Sequence, residues 1–84
     1  MTLTYENSKG EETKVCDISS IDEVSGAIES HIKKLNPKYE IPYVRISANR
    51  DERTLIYDVG SHTEFFYLKG VSDEGLARVF KRRA

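Results

Sequence analysis

The spacing of apolar positions switches between a period of two and one of about 3.6 along the chain, and each switch marks an element. Thr2–Glu6 alternates, with Leu3 and Tyr5 on one side. Asn7-Ser8-Lys9-Gly10 is a turn signal. Residues 13–18 then alternate again, Val15 toward one face, Cys16 and Ile18 nearer the other. A hairpin follows from this, and its first strand, with only two large apolar side chains, is expected at an edge. Ser20-Ile21-Asp22-Glu23 has the spacing of a capping box, with Ser19 as an alternative cap. After it Ile21, Val24, Ile28, Ile32 and Leu35 recur at three- and four-residue intervals, one stripe for one sheet face. Asp22 and Glu23 in the first turn and Lys33 and Lys34 in the last suit the helix dipole, and Asn36-Pro37 ends the helix. Gly26 lies on its polar side, at a cost of about 1 kcal/mol relative to alanine.

Residues 41–70 read as three strands in succession. In 43–48, Val44, Ile46 and Ala48 face one way, and Tyr43, Arg45 and Ser47 the other. Asn49-Arg50-Asp51-Glu52 supplies an exposed hairpin loop. In 54–59, Leu55, Tyr57 and Val59 oppose Thr54, Ile56 and Asp58, and Gly60-Ser61 allows a tight return. The third segment, 63–68, is different: Phe65 and Tyr67 point one way, Phe66 and Leu68 the other, so both faces are apolar. Such a strand is central, or its second face meets a partner. Val71-Ser72-Asp73-Glu74 then opens a short helix with Ser72 as cap, whose stripe of Leu76, Val79 and Phe80 must dock because so short a helix cannot stand alone. The predicted fold is α+β, a small and mostly antiparallel sheet of about five strands with two helices, in the order strand–strand–helix–strand–strand–strand–helix. Eighty-four residues make one domain, residues 1–84, with the basic end 78–84 expected to fray.

Composition narrows the function classes. Thirteen basic and 14 acidic residues give a net charge of -1, which excludes a strongly acidic DNA mimic and gives no general footprint for a phosphate backbone. One cysteine permits no intrachain disulfide. The first residues show no basic and apolar leader, and no apolar run approaches the roughly 18 residues of a membrane span, so a cytoplasmic protein with no membrane partner is expected.

The chemistry-bearing residues are sparse. Asp58, His62 and Glu64 share strand parity beside Ser61, but Ser61 and His62 are adjacent and point to opposite faces, which denies them a nucleophile–base bond. Cys16 reads as a small core residue and His31 as a boundary residue of the helix stripe. One Cys and two His offer no metal-ligand spacing, and the glycines form no phosphate-binding fingerprint. The chain is therefore expected to be non-enzymatic, with no catalytic residues, cofactor or metal.

Two binding classes remain. Arg78, Lys81 and Arg82 recur at three- and four-residue spacing, Arg83 adds to them, and Lys69, Arg45, Arg50 or Arg53 could extend a phosphate-contacting surface. From Ser20 onward the order helix–strand–strand–strand–helix resembles that of a double-stranded-RNA-binding domain, although Asp73-Glu74 stand where that family's last helix opens on lysines. This nucleic-acid reading is the alternative. The preferred reading is protein binding through Tyr43, Arg45, Phe65 and Tyr67, with Tyr39 nearby, because Tyr and Arg bury much area while keeping polar contacts. The size and the missing catalytic motifs fit a small inhibitor, immunity or adaptor protein of the kind carried by phages and mobile elements. A purely structural homodimer joined through Phe65 and Tyr67 is a further alternative.

Overall fold

A computed structural model describes residues 1–61 and 63–81, with side chains through Val79. The strands are β1 (Thr2–Glu6), β2 (Glu12–Asp17), β3 (Arg45–Asn49), β4 (Thr54–Asp58) and β5 (Phe65–Lys69), and the helices are α1 (Val24–Leu35) and α2 (Asp73–Lys81). They follow one another in the predicted order. All five strands join one antiparallel sheet in the spatial order β2-β1-β5-β4-β3.

β5 is the central strand, one of the two alternatives that its two apolar faces left open. β1 is not at an edge: it lies between β2 and β5. Its Leu3 and Tyr5 pair with Leu68 and Phe66, and Thr4 on the opposite side is itself buried. An interior strand of so small a domain needs only one face in the core, and two large side chains supply it. In β2, Cys16 pairs with Leu3 and Lys14 with Thr4, so Val15 is the extra residue of a bulge; this is why Val15 and Cys16 do not take clean opposite sides and are both half-buried.

The inner sheet face carries Leu3 and Tyr5, Phe66 and Leu68, and Leu55 and Tyr57 in cross-strand register. Val24, Ile28 and Ile32 of α1 and Leu76 of α2 join these in one buried cluster, so both helices cover the same face. His31 is half-buried at the edge of the helix stripe, as expected, and its ring packs 4.9 Å from that of Tyr5 and 5.8 Å from that of Phe66.

The capping box forms as expected around a 3-10 turn, Ile21–Glu23, that leads into α1: Ser20 Oγ accepts from the Asp22 amide, and the Glu23 carboxylate accepts from the Ser20 amide at 2.8 Å. Leu35, read as the end of the apolar stripe, is 57% exposed because α1 has run past the core by its last residue. At α2, Ser72 Oγ accepts from the Gly75 amide at 3.0 Å and caps the helix. Val79 is half-buried against the core; the Phe80 side chain lies outside the described residues. Among the described residues no helix is long and apolar enough to cross a membrane.

The connection from α1 to β3 is pinned at two points. Tyr39 donates its hydroxyl hydrogen bond to the Val59 carbonyl at 2.9 Å. Gly60, with φ at +88°, lies so close to Pro42 that a Cβ there would stand 2.4 Å from Pro42 Cγ, so both the conformation and the contact require glycine. Strand pairing begins at Arg45, two residues later than the alternation suggests. Val44 keeps to the side of Ile46, where it lines a groove with Ile28 and Ile32, but is 48% exposed, and Tyr43 lies in the extended approach to the strand.

Candidate interaction face

Because both helices occupy the face of Phe66 and Leu68, the other face of β5 has no helix over it among the described residues. Strand register arranges that outer face in rows. One row runs Arg45, Asp58, Phe65, Glu6 and Glu12 across β3, β4, β5, β1 and β2; the next runs Ser47, Ile56, Tyr67, Thr4 and Lys14. Phe65, Tyr67 and Ile56 are half-buried there, so the middle of an otherwise polar face is apolar and aromatic.

The two halves of the face differ. On the β1–β2 side the sheet covers itself with polar groups: Tyr67 donates to Glu6 at 2.9 Å, Lys69 Nζ pairs with Glu12 at 2.8 Å, and Thr4 donates to the same Glu12 oxygen at 3.2 Å. The Lys69 bond holds the Glu12 carboxyl below its ordinary range, and burial followed by the bond to Glu6 pushes the Tyr67 hydroxyl up to about 12. On the β3–β4 side no such network covers the face among the described residues. There a shallow depression of about 530 Å³ is lined by Arg45, Ser47, Ile56, Asp58 and Phe65, with Ile46 at its margin. Arg45 stands at its rim, with the guanidinium carbon 4.8 Å from the centre of the Tyr43 ring, a cation–π stack that holds the two side chains together.

Of the four residues singled out in the sequence, Arg45, Phe65 and Tyr67 therefore share one face, and Tyr43 joins it through Arg45 rather than by lying in a strand. Tyr39, also considered, is half-buried and occupied with the Val59 carbonyl. Ile56 is the residue that sequence reasoning passed over, although its apolar side chain among Thr54 and Asp58 broke the polar half of the alternation and was visible there.

Of the polar row Asp58, His62 and Glu64, the two described members do not share a face. Asp58 accepts from the Gly60 amide at 3.0 Å on the outer face, whereas the Glu64 carboxylate accepts from the hydroxyl of Tyr5, an inner-face residue, at 2.5 Å. His62 lies outside the described residues. Among the described residues no three His, Cys, Asp or Glu side chains gather as a metal site.

Of the five cations proposed for phosphate contact whose side chains are described, four are engaged and the exposed Arg50 is not among them. Arg78 pairs with Asp22 at 3.5 Å, Arg53 with Asp73 at 3.4 Å and Lys69 with Glu12, while Arg45 stacks on Tyr43. The Lys81 side chain, Arg82 and Arg83 lie outside the described residues. No protein-family model, curated protein or solved structure matches the chain.

Proposed function

We propose that this chain is a small, non-enzymatic protein-binding module that engages its partner through the outer sheet face, with Phe65 and Tyr67 at the centre and Arg45 and Tyr43 at the rim. One observation carries the reading: both helices lie on the Phe66 side of β5, and no helix covers the aromatic Phe65 side among the described residues. Half-buried aromatic residues beside a stacked arginine have the composition of an interface anchor, with a large contact area and few side-chain torsions to freeze. A role as inhibitor, immunity or adaptor protein is compatible with such a surface, since each acts by covering a partner.

The nucleic-acid alternative rests on Arg78 with Lys81, Arg82 and Arg83, of which the described Arg78 side chain already faces the Asp22 carboxylate in an exposed pair worth at most about 1 kcal/mol. The two readings separate in one experiment. Tagged chain is used to capture partners from its native host, with and without nuclease, alongside Phe65→Ser and Arg78→Ala. A protein retained after nuclease and lost with Phe65→Ser supports the face. Capture abolished by nuclease, or lost with Arg78→Ala while Phe65→Ser retains it, overturns the reading in favour of the basic helix.

A further inference from the structure

The open sheet has two edges, and they are built differently. β2 carries Glu12, Lys14 and Asp17 and a bulge at Val15, devices that discourage another strand from pairing. β3 pairs with β4 in unbroken register from Arg45 to Asn49, contains no proline, and has Arg45 as its single charge. The exposed large apolar residues Tyr43 and Val44 lead directly into it. A concavity flanks it on each side of the sheet. On the helix side a groove of about 780 Å³ between α1 and β3 is lined by Ile28, Ile32, Ile41, Val44, Ile46 and Tyr57 together with the polar Ser25, Glu29, Lys33 and Glu40; on the other side lies the shallow depression where Arg45, Ser47 and Asp58 stand beside Ile56 and Phe65. The nearest neighbours of a strand added to this edge are Ile46 and Ala48 on the helix side and Arg45, Ser47 and Asn49 on the outer side, so apolar side chains match the first and polar ones the second.

β3 itself has that pattern, with Ile46 and Ala48 on the helix side and Arg45, Ser47 and Asn49 on the outer side. We infer that β3 of a second copy of this chain occupies the edge, pairing antiparallel about a two-fold axis through Ser47 and perpendicular to the sheet. That operation keeps helix side on helix side and joins two five-stranded sheets into one. It sets Ile46 opposite Ala48 of the second copy, large against small. Arg45 meets the neutral Asn49, and Ser47 meets Ser47, so no like charges face each other across the pair. The inference is independent of which protein the outer face takes.

Static light scattering on the full chain tests it. The wild type is expected at twice the 9.6 kDa mass of one chain. Ser47→Glu, which places two carboxylates opposite each other at the two-fold on a side chain exposed in the single chain, is expected at the single mass with an unchanged circular dichroism spectrum. Thr13→Glu on the β2 edge keeps the doubled mass. In a Cys16→Ser background, Ser47→Cys is expected to oxidise to a covalent dimer, because opposed residues on antiparallel strands bring their Cβ atoms within disulfide reach. A wild type that stays at the single mass at millimolar concentration overturns the inference. So does a dimer that survives Ser47→Glu and gives no Ser47→Cys cross-link.

Discussion

At Tyr57 the side chain is 4% exposed and its hydroxyl has no hydrogen-bond partner among the described residues. A buried hydroxyl left unpaired costs about 1–3 kcal/mol, while its ring packs as a phenylalanine ring would. Tyr57→Phe is therefore expected to raise stability by about 1 kcal/mol, read from the midpoint of urea unfolding; an equal loss would mean that the hydroxyl has a partner. Individual side chains were legible to different degrees. Phe65 and Phe66 are neighbours of the same type, and parity alone assigned them to opposite faces. Parity could not say which face the helices would choose, since that depends on how α1 and α2 reach the sheet. Val44 is legible in direction but not in burial for a related reason: alternation gives a direction within a strand but not where pairing starts, which is Arg45.

Elements were read more securely than contacts. The α1 cap and the order of all seven elements follow from local chemistry, Ser20 and Glu23 for the cap and turn residues between, while two apolar faces gave a central β5 as one of two alternatives. The position of β1 does not follow, because pairing with β5 joins residues 59 to 67 positions apart and leaves no mark in a five-residue pattern. Gly26 supplies a test at this scale. It is exposed on α1, its φ is not positive, and a Cβ there would meet nothing within 4 Å. Gly26→Ala is expected to stabilise the domain by about 0.5–1 kcal/mol through helix propensity alone. A loss of stability would show that the α1 surface is not free to take a methyl group.

The whole molecule couples its folding to pH at both ends of the scale. Burial pushes the hydroxyls of Tyr5, Tyr57 and Tyr67 up to about 12, with Glu64 and Glu6 adding to the effect at Tyr5 and Tyr67. In the unfolded chain these groups lose their protons near 10. Their contribution is thus fully present below pH 10 and is lost as the pH rises toward 12, where unfolding releases protons. Burial, with a smaller effect from Lys34, pushes His31 down from its ordinary 6.5. Its contribution is present above that pH and is lost on acidification below it. Urea midpoints are expected to be flat from about pH 7 to 10 and to fall on either side; a midpoint that holds to pH 12 would mean that these tyrosines ionise in the folded state as they do in the unfolded one. Charge elsewhere adds little, since the ion pairs join exposed side chains and each contributes at most about 1 kcal/mol.

The central claim is that β5 divides the molecule into a core side and a contact side, and substituting its two phenylalanines tests that division. Phe66→Ala is expected to cost about 3–5 kcal/mol, enough to unfold much of a domain whose total stability is of order 5 kcal/mol. Phe65→Ser, half-buried on the outer face, is expected to cost about 1 kcal/mol or less and to leave a cooperative urea transition. If Phe65→Ser destabilises as severely as Phe66→Ala, the outer face is covered by the chain itself and is not the binding surface.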